Sequence, residues 1–275
     1  MNKKIIVVSV ISCCAAWGFS PARAQQAVVK EQPKVMKTYP FSDPDPVAQP
    51  THLYYPYFRF DGFAAEGKEQ SWKSVYMEND YIQLTLFPEI GGKVWGAIDK
   101  TTGKAFVYSN GVVKFRDIAM RGPWVSGGIE FNFGIIGHAP SSSTPVDYWV
   151  KKKEDGSVSC YISSYEWLTR TVWLVEVNLP KDKAYFTTRT TWYNQSSFSQ
   201  PYYQWMNAGY PVGDNAEFCY PGNHYIGHGG EVAQFPIDEE GHNIGWYESN
   251  NFGNSKSYHV LGYYNDYYGV YWHGE

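Results

Sequence analysis

The sequence predicts an all-β fold, an antiparallel sandwich or barrel, on three observations. Short runs of strand-forming residues recur at about 8–12-residue spacing with turn residues between them. No stretch sustains a helical pattern over about 12 residues, and no repeat of about 20–50 residues is evident. Aromatic side chains, which suit a pleated and half-buried surface, make up 18% of the 275 residues, with 24 Tyr and 11 Trp. The balance of 43% hydrophobic against 18% charged residues excludes disorder for most of the chain.

The chain opens with a basic start at Met1–Lys4, a largely apolar run at Ile5–Phe19 and the small-x-small site Ala22-Arg23-Ala24. These are the parts of a secretory signal peptide, residues 1–24, and predict a periplasmic or extracellular protein that begins at Gln25. The alternative is a lipoprotein box at Val10-Ile11-Ser12-Cys13, which leaves Cys13 lipid-anchored. The apolar run is shorter than the roughly 20 residues a spanning helix needs, and no second such run follows, so no integral membrane segment is expected.

Gln25–Pro50 carries Pro33, Pro40, Pro44, Pro46 and Pro50 among polar residues and is expected to be an extended arm or linker. Residues 51–275 are expected to form one β-sandwich domain. Its first clear strand is Tyr81–Leu86. Lys93–Asp99 and Ala105–Tyr108 then form a hairpin across Thr101-Thr102-Gly103-Lys104. Further strands are expected at Val146–Lys152, Val158–Glu166, Thr171–Asn178 and Tyr185–Asn194, the first two joined at Asp155-Gly156. Tyr263–His273 alternates like a strand and the chain stops at Glu275 without a closing turn. This is expected of a fragment of a longer protein, the alternative being a natural edge strand.

Lys3, Lys4 and Arg23 fall in the leader, which leaves 20 basic against 27 acidic residues. That balance argues against a basic nucleic-acid surface. Cys160 and Cys219 are the cysteines of the mature chain, and their bonding is left open. No phosphate loop, dinucleotide fingerprint or nucleophile elbow is present, and no cofactor is expected.

Several segments resemble the galactose mutarotase-like β-supersandwich domains. Glu78–Val94, with Pro88-Glu89-Ile90-Gly91-Gly92, leads into a strand and the Lys100-Thr101-Thr102-Gly103-Lys104 hairpin, as in the opening of those domains. Gly122–Asn132 and Pro201–Pro211 resemble a bacterial branch catalogued as a domain of unknown function, number 5107, often followed by tetratricopeptide repeats. The resemblance runs from about Tyr54 to the end. It implies a sheet face that carries a sugar, a poly- or oligosaccharide partner, and a C-terminal helical-repeat region in the full-length protein. The His-containing motif of true mutarotases is not matched, since the comparable segment reads Trp205-Met206-Asn207-Ala208-Gly209.

The residues themselves single out Gly127-Gly128-Ile129-Glu130-Phe131-Asn132. Glycines permit close backbone approach, and an acid among Ile129, Phe131 and Phe133 is expected to have a raised pKa, as a general acid for a glycosidic oxygen requires. His138 precedes a polar loop and Asp147 follows it, which makes them the other catalytic candidates beside Glu130. Trp124, Asn132, Trp205, Asn207, His224 and Glu217 are the candidate sugar contacts. Glu89, between Pro88 and the Gly pair, is weighed as a second acid against a fold-defining turn. His224 and His228 have the spacing of a metal pair on a helix, but Gly222, Gly227, Gly229 and Gly230 argue against a helix, so no metal site is expected. The sequence thus supports a secreted carbohydrate-active enzyme, hydrolase or epimerase-like, with a non-catalytic glycan-binding or scaffold module as the alternative.

Overall fold

The computed structural model describes residues 26–40, 64–119, 122–134, 138–201, 203–211, 215–219, 221–227, 230–249, 259–260, 267 and 269–273. The leader, Cys13 and His228 lie outside them. The chain divides into two compact units, Met1–Gly209 and Tyr210–Glu275.

The first unit holds β1 (Val28–Tyr39), β2 (Lys68–Glu78), β3 (Ile82–Phe87), β4 (Lys93–Asp99), β5 (Ala105–Val107), β6 (Val113–Lys114), β7 (Arg116–Ala119) and β8 (Gly122–Trp124). It continues with β9 (Ile129–Gly134), β10 (Asp147–Lys152), β11 (Val158–Glu166), β12 (Thr171–Leu179), β13 (Thr187–Asn194) and β14 (Tyr203–Ala208). A single 3-10 turn, Pro140–Ser143, is the only helical element among the described residues. The second unit holds β15 (Ala216–Cys219), β16 (His224–Ile226), β17 (Val232–Gln234), β18 (His259–Val260) and β19 (Gly269–Trp272).

Two large sheets build the body of the first unit, and β7 and β8 pair as a third, two-stranded sheet. An eight-stranded sheet runs β14-β9-β4-β3-β2-β1-β6, with β5 paired to β4, and a four-stranded sheet runs β10-β11-β12-β13. Strand alternation turns one face of each sheet toward the other. Val75, Met77, Ile82, Leu84, Leu86, Ile129, Phe131 and Phe133 of the large sheet pack on Val158, Cys160, Ile162, Trp173, Val175 and Val177 of the small one. Phe133 and Trp173 stack across this interface at 4.6 Å and 9°. The fold is therefore an all-β antiparallel sandwich. The far side of the large sheet buries a second cluster that includes Met36, Trp72, Phe87, Trp95 and Val125.

The strands expected between Tyr81 and Asn194 lie where the pattern places them. Val158–Glu166 is β11 end to end, and the β4–β5 hairpin and the Asp155-Gly156 turn form as expected. At the Pro88–Gly92 turn, Gly91 has φ +67°, and a Cβ there would meet the Ser142 carbonyl oxygen at 2.6 Å. Glu89 accepts a bond from the Lys73 amide at 2.6 Å, so this acid secures a turn.

Two expectations differ from the structure. Val28–Tyr39, read as part of an arm, is the longest strand of the first unit and pairs with β2 from Val28↔Glu78 to Thr38↔Lys68. Pro33 is tolerated because, among the described residues, the second edge of β1 is paired only at Thr38 and Tyr39, by β6, so Pro33 has no ladder donor to lose on that side. The alternation of Met36 and Thr38 into the interior, with Thr38 Oγ1 accepting from Trp72 Nε1 at 2.8 Å, fixes the register. The stretch 51–275, read as one domain, spans both units. β14 completes the large sheet, and the strands after it pair among themselves, β15 with β19 and β16 with β17 and β18. Cys160 is buried and Cys219 half-buried, and both are free thiols.

If β1 is part of the sheet, a protein lacking residues 1–40 should melt lower by roughly 6–12 °C, the equivalent of about 3 kcal/mol or more in a chain of this size. Thermal denaturation followed by circular dichroism measures it. A melting temperature equal to that of the chain starting at Gln25 would return the segment to the status of an arm.

Candidate functional site

Three neighbouring strands carry the polar residues of the large sheet's far side. In β9, Ile129, Phe131 and Phe133 face the sandwich core, so Glu130 and Asn132 face the other way. The β14 register sets Trp205 opposite Asn132 and Asn207 opposite Glu130. On the other flank, Val94 pairs with Ile129, which puts Lys93 of β4 beside Glu130. The turn before β9 depends on Gly128 at φ +64°, where a Cβ would meet the Val94 carbonyl oxygen at 2.3 Å. No other residue lets β9 enter the sheet there.

Glu130 is buried, 2% exposed, and is held from three directions. His138 Nδ1 donates to its Oε1 at 2.7 Å. Trp124 Nε1 donates to its Oε2. Lys93, itself 2% exposed, places its Nζ on the Val125 carbonyl and over the Trp124 ring. Asn132 Oδ1 accepts the Ala139 amide at 2.8 Å, which pins the backbone next to His138 and keeps the imidazole over the carboxylate. The His138 ring stands edge-on to Trp205 at 4.7 Å and tilted to Trp124 at 5.6 Å. Tyr203 continues the aromatic row beside Trp205. Among the described residues, Trp205 Nε1 and Asn132 Nδ2 are buried donors without a hydrogen-bond partner.

Burial is the largest influence on Glu130 and acts against its charge, but the bond and attraction from His138, followed by the charge of Lys93, outweigh it. Its pKa lies below the ordinary glutamate value. This overturns the expectation of a protonated acid. The apolar residues that flank Glu130 in sequence point to the opposite face of the sheet, and what surrounds the carboxylate is a set of donors. Burial lowers the pKa of Lys93 to about 8, with Glu130 pulling the other way.

Of the catalytic candidates, Glu130 and His138 form one unit, while Asp147 opens β10 at the edge of the other sheet with its side chain exposed. Trp124, Asn132, Trp205 and Asn207 stand on the Glu130 face. Glu217 and His224 belong to the second unit, where His224 lies on the strand β16, exposed, with Nδ1 on Asn223 Oδ1 at 2.8 Å. Lys93 was missed by the sequence reading. Its signal was present as a lone charge in the run Gly92-Lys93-Val94-Trp95. Among the described residues no group of three or more His, Cys, Asp or Glu gathers for a metal, and no helix is long and apolar enough to cross a membrane.

A family described as Domain of unknown function (DUF5107) matches residues 49–275. The structure of a TPR-domain containing protein from Parabacteroides distasonis ATCC 8503 is similar to this chain at 25% identity and a TM-score of 0.67. The match covers 74% of this chain and 35% of that one, so this chain spans about a third of that protein's length.

The charge network has a pH signature. A depressed Glu130 pKa adds stability that is present above the unfolded carboxylate value and is lost as pH falls through the folded one. Lys93→Met removes a cation that favours the carboxylate, so the acid limb of melting temperature against pH should move to higher pH. On the alkaline side the wild-type protein should gain stability as pH rises from about 8 toward 10.5, because the unfolded lysine holds its proton longer. That gain is on the order of 3 kcal/mol and should be missing in Lys93→Met. Superimposable acid limbs in the two proteins would disconnect Lys93 from Glu130.

Proposed function

The chain belongs to the family described as Domain of unknown function (DUF5107), and from the site this member builds we propose a secreted carbohydrate-active enzyme that transfers protons through His138. The observation that carries the reading is the bond between His138 Nδ1 and the buried, ionised Glu130. A carboxylate on Nδ1 fixes the ring orientation and stabilises the imidazolium, which leaves Nε2 to take a proton from a substrate hydroxyl and to return it. Glu130 itself is then a positioning residue.

This favours the epimerase-like branch over hydrolysis. Glycoside hydrolysis by paired carboxyls needs a protonated acid and a second carboxyl about 5–5.5 Å or about 6.5–9.5 Å away. Glu130 is ionised, and its neighbours are an imidazole, an indole and an ammonium group. In the proposed reaction Nε2 takes the proton of the anomeric hydroxyl as the C1–O5 bond opens and solvent protonates O5. Closure on the other face of C1 reverses both transfers. Trp124, Trp205 and Tyr203 supply aromatic surface for the C–H face of the ring, and Asn132 and Trp205 supply donors. The sandwich is in keeping with a galactose mutarotase-like supersandwich. Export through the leader 1–24, with maturation at Gln25, belongs to the same reading. The TPR-domain containing protein supports a helical-repeat region after the β domain in the full-length protein.

Glu130→Gln tests the mechanism. The amide can still accept from Trp124 but presents an N–H to His138 Nδ1, so the imidazolium loses its partner. Anomer exchange, followed by polarimetry over a panel of mono- and oligosaccharides, should slow by about 10²–10⁴-fold with folding intact. An undiminished rate in Glu130→Gln or His138→Ala would overturn the assignment. Sugar binding with no turnover in the wild type would move the protein to the glycan-binding module.

A further inference from the structure

Two turns at one end of the small sheet hold large apolar side chains away from the protein. Thr171 of β12 pairs with Glu166, the last residue of β11, and with Asn194, the last residue of β13. The turn at residues 167–170 and the segment after Asn194 therefore leave the sheet at the same end. Trp167 is 65% exposed, Leu168 38% and Phe198 76%. Behind them Tyr165, Val172 and Tyr193 pair across β11, β12 and β13. Trp173 and Val175 face the core, so this row stands on the outer face. There Tyr165 meets the Trp167 ring edge-on at 5.1 Å.

Both turns are tied by their own hydrogen bonds. Thr169 donates its amide and its hydroxyl to the buried Glu166 carboxylate, at 2.7 and 2.6 Å. Past β13, Asn194 Oδ1 accepts the Ser196 amide at 3.0 Å, and Asn194 Nδ2 donates to the Phe198 carbonyl at 2.8 Å. These bonds fix the backbone without using Trp167, Leu168 or Phe198, so the exposure of the three is built in. The same bonds partner backbone groups that would otherwise resist leaving water. The charges are segregated as well. Arg170 is exposed at this end, Glu166 is turned inward, and residues 195–200 carry no charge. Asp147, the first exposed acid back along these strands, lies opposite Ser163, and the Lys153–Glu176 pair and Arg189 lie further back.

We propose that this end of the small sheet docks on a phospholipid bilayer that carries anionic headgroups. Trp167, Leu168 and Phe198 enter the interface, and Arg170 lies at the level of the phosphates. Side chains that protrude from turns suit a medium that deforms around them rather than a surface that must match their shape. Indole and phenol rings, apolar in body and polar at one tip, are the side chains favoured at the depth where headgroups meet acyl chains. The exposed charge at the tip is a cation, and the acids are set back from it, which complements an anionic leaflet. A second copy docked turn to turn would instead bring two Arg170 cations together. The contact is peripheral, with no segment crossing the bilayer. It is separate from the Glu130–His138 centre and survives the failure of the proton-transfer reading.

Co-sedimentation with vesicles tests it, on the chain that starts at Gln25 so that the apolar run Ile5–Phe19 contributes nothing. The protein should bind vesicles of equal parts phosphatidylglycerol and phosphatidylcholine, and bind phosphatidylcholine alone more weakly. Trp167→Ala and Phe198→Ala should each weaken binding about tenfold or more, the worth of one large apolar side chain taken from water. Arg170→Gln should weaken binding to the mixed vesicles about fivefold and leave phosphatidylcholine binding unchanged. Trp149→Ala removes an exposed indole four rungs back, opposite Tyr161, and should bind like the wild type, as should Glu130→Gln. Trp167 and Phe198 are largely exposed, so their variants should keep the wild-type melting temperature. A wild-type protein that binds neither vesicle overturns the proposal, and so does equal binding by the wild type and the Trp167→Ala and Phe198→Ala variants. A dimer that these substitutions dissolve, without vesicle binding, would assign the face to a second copy and overturn it too.

Discussion

An ionised carboxylate that is 2% exposed is the constraint around which the far side of the large sheet is arranged. Placing such a charge out of water costs several kcal/mol unless donors and an opposite charge surround it. Glu130 finds them on three separate segments: Lys93 on β4, Trp124 on β8 and His138 after β9. Each partner is useful only if its segment lies where the carboxylate is. The positions of the β4–β9 pairing, the Gly128 turn and the loop after β9 are therefore coupled through one side chain.

The platform is stiff because β9 is buried on both faces. Behind Glu130 and Asn132, Phe133 stacks on Trp173 of the small sheet and meets Trp192 edge-on. Side chains carried by a strand packed on both sides are placed more precisely than side chains on a free loop. His138 is the exception by position, since it follows β9 rather than belonging to it. The bond from the Ala139 amide to Asn132 Oδ1 ties it back to the strand. Asn132 thus orders the imidazole through the backbone while Glu130 orders it through Nδ1.

The two units use aromatic and charged residues in different ways. In the first, the Glu130–His138 pair is nearly enclosed, with 2% and 12% of the side chains exposed, and its electrostatics are correspondingly strong. In the second, the Glu217–His273 pair is partly exposed and flanked by the exposed Tyr271 and the half-buried Trp246. Screening by water weakens the attraction there.

The sequence by itself determined the all-β class, most strands of the sandwich and the segment that matters. Alternation and turn residues are local signals, and Val158–Glu166 or the Asp155-Gly156 turn needs nothing distant to be read. It also marked Glu130, His138 and Asp147 as residues to follow. The tertiary structure alone decided which of them meet and in what charge state. The charge state of Glu130 depends on Lys93, 37 positions earlier in the chain, and on which face of β9 is apolar, and neither follows from its sequence neighbours. The same holds for β1, which lies in the proline-rich stretch Gln25–Pro50 and reads as an arm until β2 supplies the partner edge. Asp147 looked close to His138 in sequence and lies at the edge of the other sheet, because a strand can leave one layer and begin the next within a few residues. Pairing partners and face assignment are set by contacts between distant segments, and a local pattern holds no record of them.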